Sequence, residues 1–262
     1  MPELPDLEVF KDNIFNRLTS KRLVGLNVFS MKITTPQSIL MEALNNRELR
    51  CVNRYGKELL FDFAEGRIIA AHLMLNGRIS IISNTDMMDN IRSKVFSLNF
   101  EKECVVFHDT GNIGTLIRYK PMLGGTPDAL GDDFTLDYFL KIAGRKATAN
   151  IKAFLIDQKV VKGIGNAYAD EILWFARVSP KSITGKIPEE VMGALYNAII
   201  TVLRNAVVSI KAISPDIISG EERSFLKVHS RFKKKTETGF PIIIETIASK
   251  TTYFTKEQIV YG

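Results

Sequence analysis

The stretch VVKGIGNAYADEILWFARVSP, residues 160–180, decides how the rest of the 262-residue chain is read. Gly163-Ile164-Gly165 is a tight-turn signal. Asn166 after it is an expected helix N-cap, because its side-chain oxygen can accept from an unpaired backbone N–H of the first turn. The run from Asn166 to Phe175 reads as a helix, and so does AFLIDQK, residues 153–159, just before it. Two helices joined by a glycine turn make a helix–turn–helix unit. Backbone N–H groups at such a helix start favour an anion. A capped helix docked on a core has the same signature, so the stretch alone leaves both readings open.

Outward from this unit the period stays helical. Leu136–Ala143 and Ala149–Asp157 read as short helices. Pro188–Val208 reads as a long one, with Val191, Leu195, Ala198, Ile199, Val202 and Leu203 on its apolar face. Upstream, PMLGGTPDALGDD at 121–133 is dense in Gly, Pro and Asp and reads as a linker. Between Arg22 and Tyr119 the pattern is one of short β-runs such as LVGLNVF, LRCVNRY, ELLFDF and RISII, with VFSLNF and ECVVFHD about a turn at Glu101-Lys102. Ahead of them, Asp6–Leu18 places Leu7, Phe10, Ile14 and Leu18 on one helical face, with Pro5 at the start. The last 40 or so residues return to β signals. The expected fold class is α+β: an N-terminal helix and two-layer β-sandwich (1–120), the linker (121–133), a helical domain (134–218) and a small β tail (219–262).

Composition narrows the class. Hydrophobic residues are 45% and charged residues 24%, which excludes disorder, collagen and coiled coil as descriptions of the whole. Thirty-five basic residues against 29 acidic give a net charge of +6, compatible with a polyanionic partner. Cys51 and Cys104 are the only cysteines, and His72, His108 and His229 are scattered, so neither a disulfide scaffold nor a metal-ligand spacing is expected, and no cofactor. Acidic Glu3, Asp6 and Glu8 argue against a targeting segment. Uninterrupted apolar runs fall short of the roughly 18 residues a bilayer span needs, so no membrane partner is expected. The expectation is an intracellular, cytoplasmic monomer with reduced thiols.

Four places can carry chemistry. Met1 precedes Pro2, whose small side chain usually permits removal of the initiator methionine and leaves a secondary amine. Such an amine can attack an aldehyde carbon and give an iminium, an electron sink for β-elimination. Glu3 beside it can serve as acid or base. Lys57, after Gly56 in RYGKELLFDF, is placed for a point-charge contact with phosphate. The GIGN turn is the third place. The fourth is RSFLKVHSRFKKK, residues 223–235, with six cations, no acid, and Phe225 and Phe232 interleaved, the composition of a surface that tracks a nucleic-acid backbone. Each also has an ordinary structural reading: a plain N-terminus, a solvated turn lysine, a capped helix, a solvated charge run.

In order and at appropriate separations, MPELPDLE, GKELLF, HLMLNGR, LIDQKVVKGIGNAYADEIL and ASKTTYF resemble the formamidopyrimidine-DNA glycosylase and endonuclease VIII family over essentially the full chain. The resemblance implies a bifunctional DNA glycosylase and AP lyase acting on double-stranded DNA with oxidised bases or abasic sites. It gives Pro2 the nucleophile's role, Glu3 the catalytic carboxylate's and Lys57 a catalytic phosphate contact at the lesion. Asn166 becomes the phosphate-binding asparagine of a helix–two-turn–helix motif and Glu171 the carboxylate within it, with His72, Arg231 and Lys250 completing the DNA-contacting set. Leu75, Asn112 and Ile113 would fill the void left by a flipped nucleotide.

The departures from the family are specific. Leu75 stands where members often have methionine, Gly111 where an arginine reads the opposite base, and Ile113 where a phenylalanine wedge is usual. The segment from Ile218 to Phe225 is shorter than the loop that caps 8-oxoguanine in many members. A preference for oxidised pyrimidines, ring-opened purines or abasic sites is therefore expected. The family's four-cysteine zinc finger has no cysteines here: one pair falls within KKKTETG and the other near Thr255 and Gln258. The resemblance then implies a zincless finger held by apolar burial of Ile242, Ile244, Ile247, Tyr253 and Phe254, with Lys250 in place of a tip arginine. These losses also motivate an alternative, a catalytically impaired protein that binds damaged DNA.

Overall fold

The computed structural model describes residues 1–262 apart from Met31, Lys32, Thr34, Asn84, Asn112, Ile113, Gly114, Lys120, Met122 and Leu123. It divides into two compact units, Met1–Leu123 with Ile210–Glu221, and Gly124–Ser209 with Glu222–Gly262.

In the first unit, α1 (Leu4–Leu18) starts two residues earlier than its apolar period suggests, because Pro5 fits the first turn and Glu3 caps it. Its Leu7, Phe10, Ile14 and Leu18 are buried. Eight strands follow: β1 (Leu23–Val28), β2 (Cys51–Tyr55), β3 (Glu58–Asp62), β4 (Ile68–His72), β5 (Gly77–Ile82), β6 (Lys94–Phe100), β7 (Cys104–Asp109) and β8 (Leu116–Tyr119). They form two antiparallel sheets, ordered β1-β6-β7-β5 and β2-β3-β4-β8. Phe61 of one sheet meets Phe107 of the other edge-on at 5.7 Å between ring centres, within a continuous apolar core. The two-layer sandwich expected from the alternating pattern is thus present. Among the described residues two elements within this β-patterned stretch are helical: a 3-10 turn at Thr85–Asn90, and α2 (Gln37–Leu44), which follows Pro36 and buries Leu40 and Leu44 at a spacing of four. The segment 210–221 belongs to this unit, where Asn13 Nδ2 donates to Pro215 O at 2.7 Å and Ile217 O at 2.8 Å, and the Ile79 N–H donates to Ser219 Oγ at 3.0 Å. Cys51 and Cys104 are both free.

The second unit holds α3 (Leu136–Arg145), α4 (Ile151–Ile156), α5 (Asn166–Phe175), residues 189–209 of α6 (Glu189–Ile213), and the hairpin of β9 (Ile243–Ile247) and β10 (Lys250–Phe254). Phe134, Phe139, Phe154 and Tyr196 pack ring against ring at its centre. By length and composition α6 could cross a bilayer, which counting uninterrupted runs misses. Its Met192, Leu195, Ile199, Leu203 and Ala206 form a buried stripe at helical spacing, as in the core helix of a globular unit.

Two local expectations are corrected. The N-cap of α5 is Gly165, not Asn166, which is the first helical residue; the Asn166 amide is drawn away to Thr251. The turn itself is braced by Gln158, which accepts from the Gly163 N–H at 3.0 Å and donates to Ile156 O at 2.9 Å and Ile164 O at 2.8 Å. In the hairpin, Ile247 and Phe254 are buried, but Ile242 and Tyr253 are only half-buried and Ile244 is 54% exposed, so apolar burial holds less of it than the pattern suggests. Its two-residue turn, Ala248-Ser249, has φ of 51° and 59°, a primed turn built from residues that resist left-handed backbone. Replacing the pair by Asn-Gly is expected to stabilise the unit by about 1 kcal/mol, read as a rise of about 2–4 °C in Tm.

Candidate functional site

In the first unit the N-terminus is organised around the start of α1. Glu3 is 5% exposed, and its N–H donates to Asp6 Oδ2 at 2.8 Å as half of a capping box. Its carboxylate therefore sits at the positive end of a helix, where a negative charge is favoured. Pro2 is buried immediately before it, and the Met1 amino group pairs with Glu221. Lys57 occupies the two-residue turn between β2 and β3, beside Gly56 at φ 59°. Arg54, with a side chain only 5% exposed, donates to Gly56 O at 3.0 Å and to Glu8 Oε2 at 2.7 Å. That brace ties the Lys57 turn to α1, the helix that Glu3 caps. Burial alone would raise the Glu8 carboxyl, but Arg54 and Lys11 outweigh it and hold it below the usual range.

His72 ends β4, and its Nδ1 accepts from the Met74 N–H at 3.0 Å, folding the turn that presents Leu75 at 56% exposure. Gly77 closes the turn onto Leu73 O at 2.8 Å; a Cβ there would lie 2.1 Å from that oxygen and 2.4 Å from Thr115 Oγ1. Gly77 pairs with Asp109 across β5 and β7, so the Leu75 turn and the loop after Asp109 lie at one end of the sheet. Buried Asp109 holds that loop's base, accepting from Gly111 N and Thr115 N, each at 3.0 Å. Asn112 and Ile113 lie outside the described residues.

In the second unit Asn166 and Lys250 are joined through the hairpin. Asn166 Nδ2 donates to Thr251 O at 2.9 Å, next to exposed Lys250. The same carbonyl accepts from Lys152 Nζ at 3.3 Å, and Thr252 Oγ1 accepts from it at 2.6 Å. Lys152 also pairs with Asp170 Oδ1 at 2.7 Å, both side chains fully buried; its aligned hydrogen bonds go to the hairpin, so the contact with Asp170 is one of charge. Asp170 Oδ2 meets His229 Nδ1 at 2.7 Å and accepts from the Tyr253 N–H at 3.0 Å. Nothing in the local pattern signals this relay beyond a lysine on a short, mostly apolar helix.

Glu171 has a different task from contacting solvent or ligand. It accepts from the N–H groups of Lys227, Val228 and His229 at 2.8, 2.8 and 2.7 Å, anchoring the start of the basic run; burial raises its pKa against those bonds. Of that run, Lys227 pairs with Glu237, Lys233 donates to Leu226 O, and Arg223 lies over Tyr168. With Arg231, four of the six cations expected to track phosphate thus have contacts within the unit. Arg231 is exposed with its guanidinium over the ring of Phe232, itself 78% exposed. A cavity of about 490 Å³ between α5, α6 and residues 224–237 is lined by Glu171, Trp174, Phe175 and Phe225, and neither Asn166 nor Lys250 borders it.

The zinc usual in the family's finger does not fit the residues present. The matching segments, KKKTETG and Thr255–Gln258, offer no thiolate or imidazole, and their two carboxylates are engaged elsewhere, Glu237 with Lys227 and Glu257 with Arg177. No group of three or more His, Cys, Asp or Glu among the described residues could hold a metal.

Comparison with known proteins gives consistent results. A family model described as the formamidopyrimidine-DNA glycosylase N-terminal domain matches residues 1–116, and one described as that glycosylase's H2TH domain matches 125–216. The formamidopyrimidine-DNA glycosylase of Herpetosiphon aurantiacus is 33% identical over 218 residues, 79% of this chain and 78% of that one. Its counterpart in Lactococcus lactis subsp. lactis is 27% identical over 97% of both chains. Among solved structures, the Lactococcus lactis enzyme in complex with DNA containing an oxidised pyrimidine superposes with a TM-score of 0.83 at 23% identity, covering 98% of this chain and 99% of that one. The same enzyme with abasic-site DNA gives the same score. At that identity the structural match speaks for the fold.

Proposed function

The chain belongs to the formamidopyrimidine-DNA glycosylase family, and from that premise we propose that it is a base-excision-repair DNA glycosylase with AP lyase activity. Its partner is double-stranded DNA carrying oxidised bases or abasic sites, and its place of action is wherever in the cell that DNA lies. The observation that carries the reading is the buried carboxylate of Glu3, fixed at a helix start directly after Pro2. Once Met1 is removed, the Pro2 nitrogen is a secondary amine. It attacks C1′ of the flipped nucleotide; the C1′–N bond to the base breaks, and the base leaves with a proton. The sugar ring opens to an iminium that is cationic without an N–H. Loss of a C2′ proton then expels the 3′ phosphate, and a second elimination expels the 5′ phosphate. Water releases Pro2. Glu3 moves protons in these steps.

The remaining residues bind and orient. Lys57, on a turn braced by Arg54, neutralises phosphate at the lesion. Asn166 and Lys250 grip phosphates together, since both border Thr251; His72 and Arg231 add contacts. Leu75, with Asn112 and Ile113, fills the space the flipped base leaves. Borohydride reduction in the presence of abasic-site DNA tests the chemistry. The mature protein is expected to have lost the mass of Met1 and to form a covalent DNA adduct. Correctly processed protein that forms no adduct would leave the alternative of a damage-binding protein.

A further inference from the structure

We infer that the carboxylate of Glu257 closes the finger of this chain at the place where the family's four-cysteine finger usually holds zinc. The consequence for DNA drawn below rests on the reading of Lys250 as a phosphate contact. A finger of this kind must join two segments, here residues 233–240 and 255–258. Each is closed on itself. Gly239 N–H donates to Thr236 O at 3.0 Å and Thr236 N–H to Phe240 O at 2.9 Å, while Thr255 N–H donates to Gln258 Oε1 at 2.8 Å.

Glu257 is what joins them. Its Oε2 accepts from Thr255 Oγ1 at 3.0 Å and lies 3.5 Å from Thr236 Oγ1, which is itself 2.8 Å from Thr238 Oγ1. The same oxygen accepts from Trp174 Nε1 at 3.1 Å, and Oε1 from Arg177 at 2.6 Å, so the clasp also fixes the finger to the end of α5. The Arg177 guanidinium lies 5.2 Å over the Trp174 ring, and the Glu257 side chain is only 8% exposed. Gln258 Nε2 to Val178 O at 2.9 Å and Ile259 N–H to Arg177 O at 2.8 Å continue the seam. A carboxylate is an acceptor with room for about four hydrogen bonds, and bonds to a charged group are about twice as strong as neutral ones. One anion therefore does for hydroxyl, indole and guanidinium donors what a metal ion does for thiolates. Burial opposes its ionisation, but the hydrogen bonds from Thr238, Trp174 and Thr255 and the charge of Arg177 prevail and keep it low.

A finger closed this way holds Lys250 without metal or thiolate, so chelators and thiol oxidants leave it intact. Hydrogen exchange on the full chain tests the clasp directly. In Glu257→Ala, amide exchange in residues 233–242 and 250–259 is expected to rise about tenfold or more, with α1 and the sandwich strands unchanged. Kd for a duplex with a tetrahydrofuran abasic analogue is expected to weaken about tenfold, equivalent to 1.4 kcal/mol. Treating the unsubstituted protein with 1,10-phenanthroline should alter neither. Unchanged exchange in the variant overturns the inference, as does a chelator that loosens the finger to the variant's level. Should Glu257→Ala fail to fold, Glu257→Gln keeps one acceptor oxygen and is expected to exchange at an intermediate rate; exchange equal to the unsubstituted protein overturns the clasp. Faster exchange with unaltered Kd supports the clasp and removes Lys250 from the DNA contacts.

Discussion

Glu3→Gln is expected to lower base excision and strand cleavage by about 100- to 10,000-fold, the range for removing a positioned acid or base. Glutamine keeps the shape of the side chain and an oxygen that can still accept at the start of α1, and the Glu3 N–H still donates to Asp6. The variant should therefore unfold within about 0.5 kcal/mol of the unsubstituted protein, as a change that preserves a cap does. Glu3→Ala loses the cap as well and should cost about 1 kcal/mol of stability on top of the lost chemistry. Single-turnover cleavage of an abasic-site duplex, with melting curves alongside, separates the two effects. Cleavage by Glu3→Gln within threefold of the unsubstituted protein would remove Glu3 from the proton-transfer steps.

The second large effect is on stability. Lys152→Met removes one partner of an ion pair in which both side chains are fully buried. Breaking such a pair costs about 3–5 kcal/mol, because the remaining charge is stranded away from water. Against a total stability of about 5–15 kcal/mol that is a large share. Pairing it with Asp170→Asn removes the stranded charge while leaving an oxygen at the Oδ2 position for both the Tyr253 N–H and His229 Nδ1. The double variant should recover most of the loss. Urea unfolding of the two proteins decides it: equal midpoints for single and double variants would mean that the charge on Asp170 contributes nothing.

How much of this was legible in the sequence follows from what each feature depends on. Period and punctuation are local, so α1, α5, the β6–β7 hairpin and the antiparallel sandwich could be read from residue spacing. The helix α2 is hidden in the pattern because it is only eight residues long and sits among strands, where Ile39 and Leu40 pass for a β-run. The spacing around Asn166 makes it the expected N-cap of α5, but its amide is claimed by Thr251, 85 positions away in the chain, and Gly165 takes the cap instead. The same distance hides Lys152, Asp170 and His229 as a group: each looks ordinary until the hairpin is folded onto α4 and α5. Glu257 was invisible for a chemical reason. An absence of cysteines signals that something else must close the finger, but nothing in TYFTKEQ says that the glutamate collects the donors. Arg54 and Glu8, 46 residues apart, are likewise a product of the fold.

The segment 210–221 gives the chain an unusual heredity. The sandwich unit is completed by twelve residues, Ile210 to Glu221, which begin in the last turn of α6. A recombination event that exchanged only the first 123 residues between two relatives would bring in an Asn13 and an Ile79 whose partners, Pro215, Ile217 and Ser219, came from the other parent. The sandwich unit is thus discontinuous in the chain, and an exchange of its first 123 residues alone leaves its last twelve with the other parent.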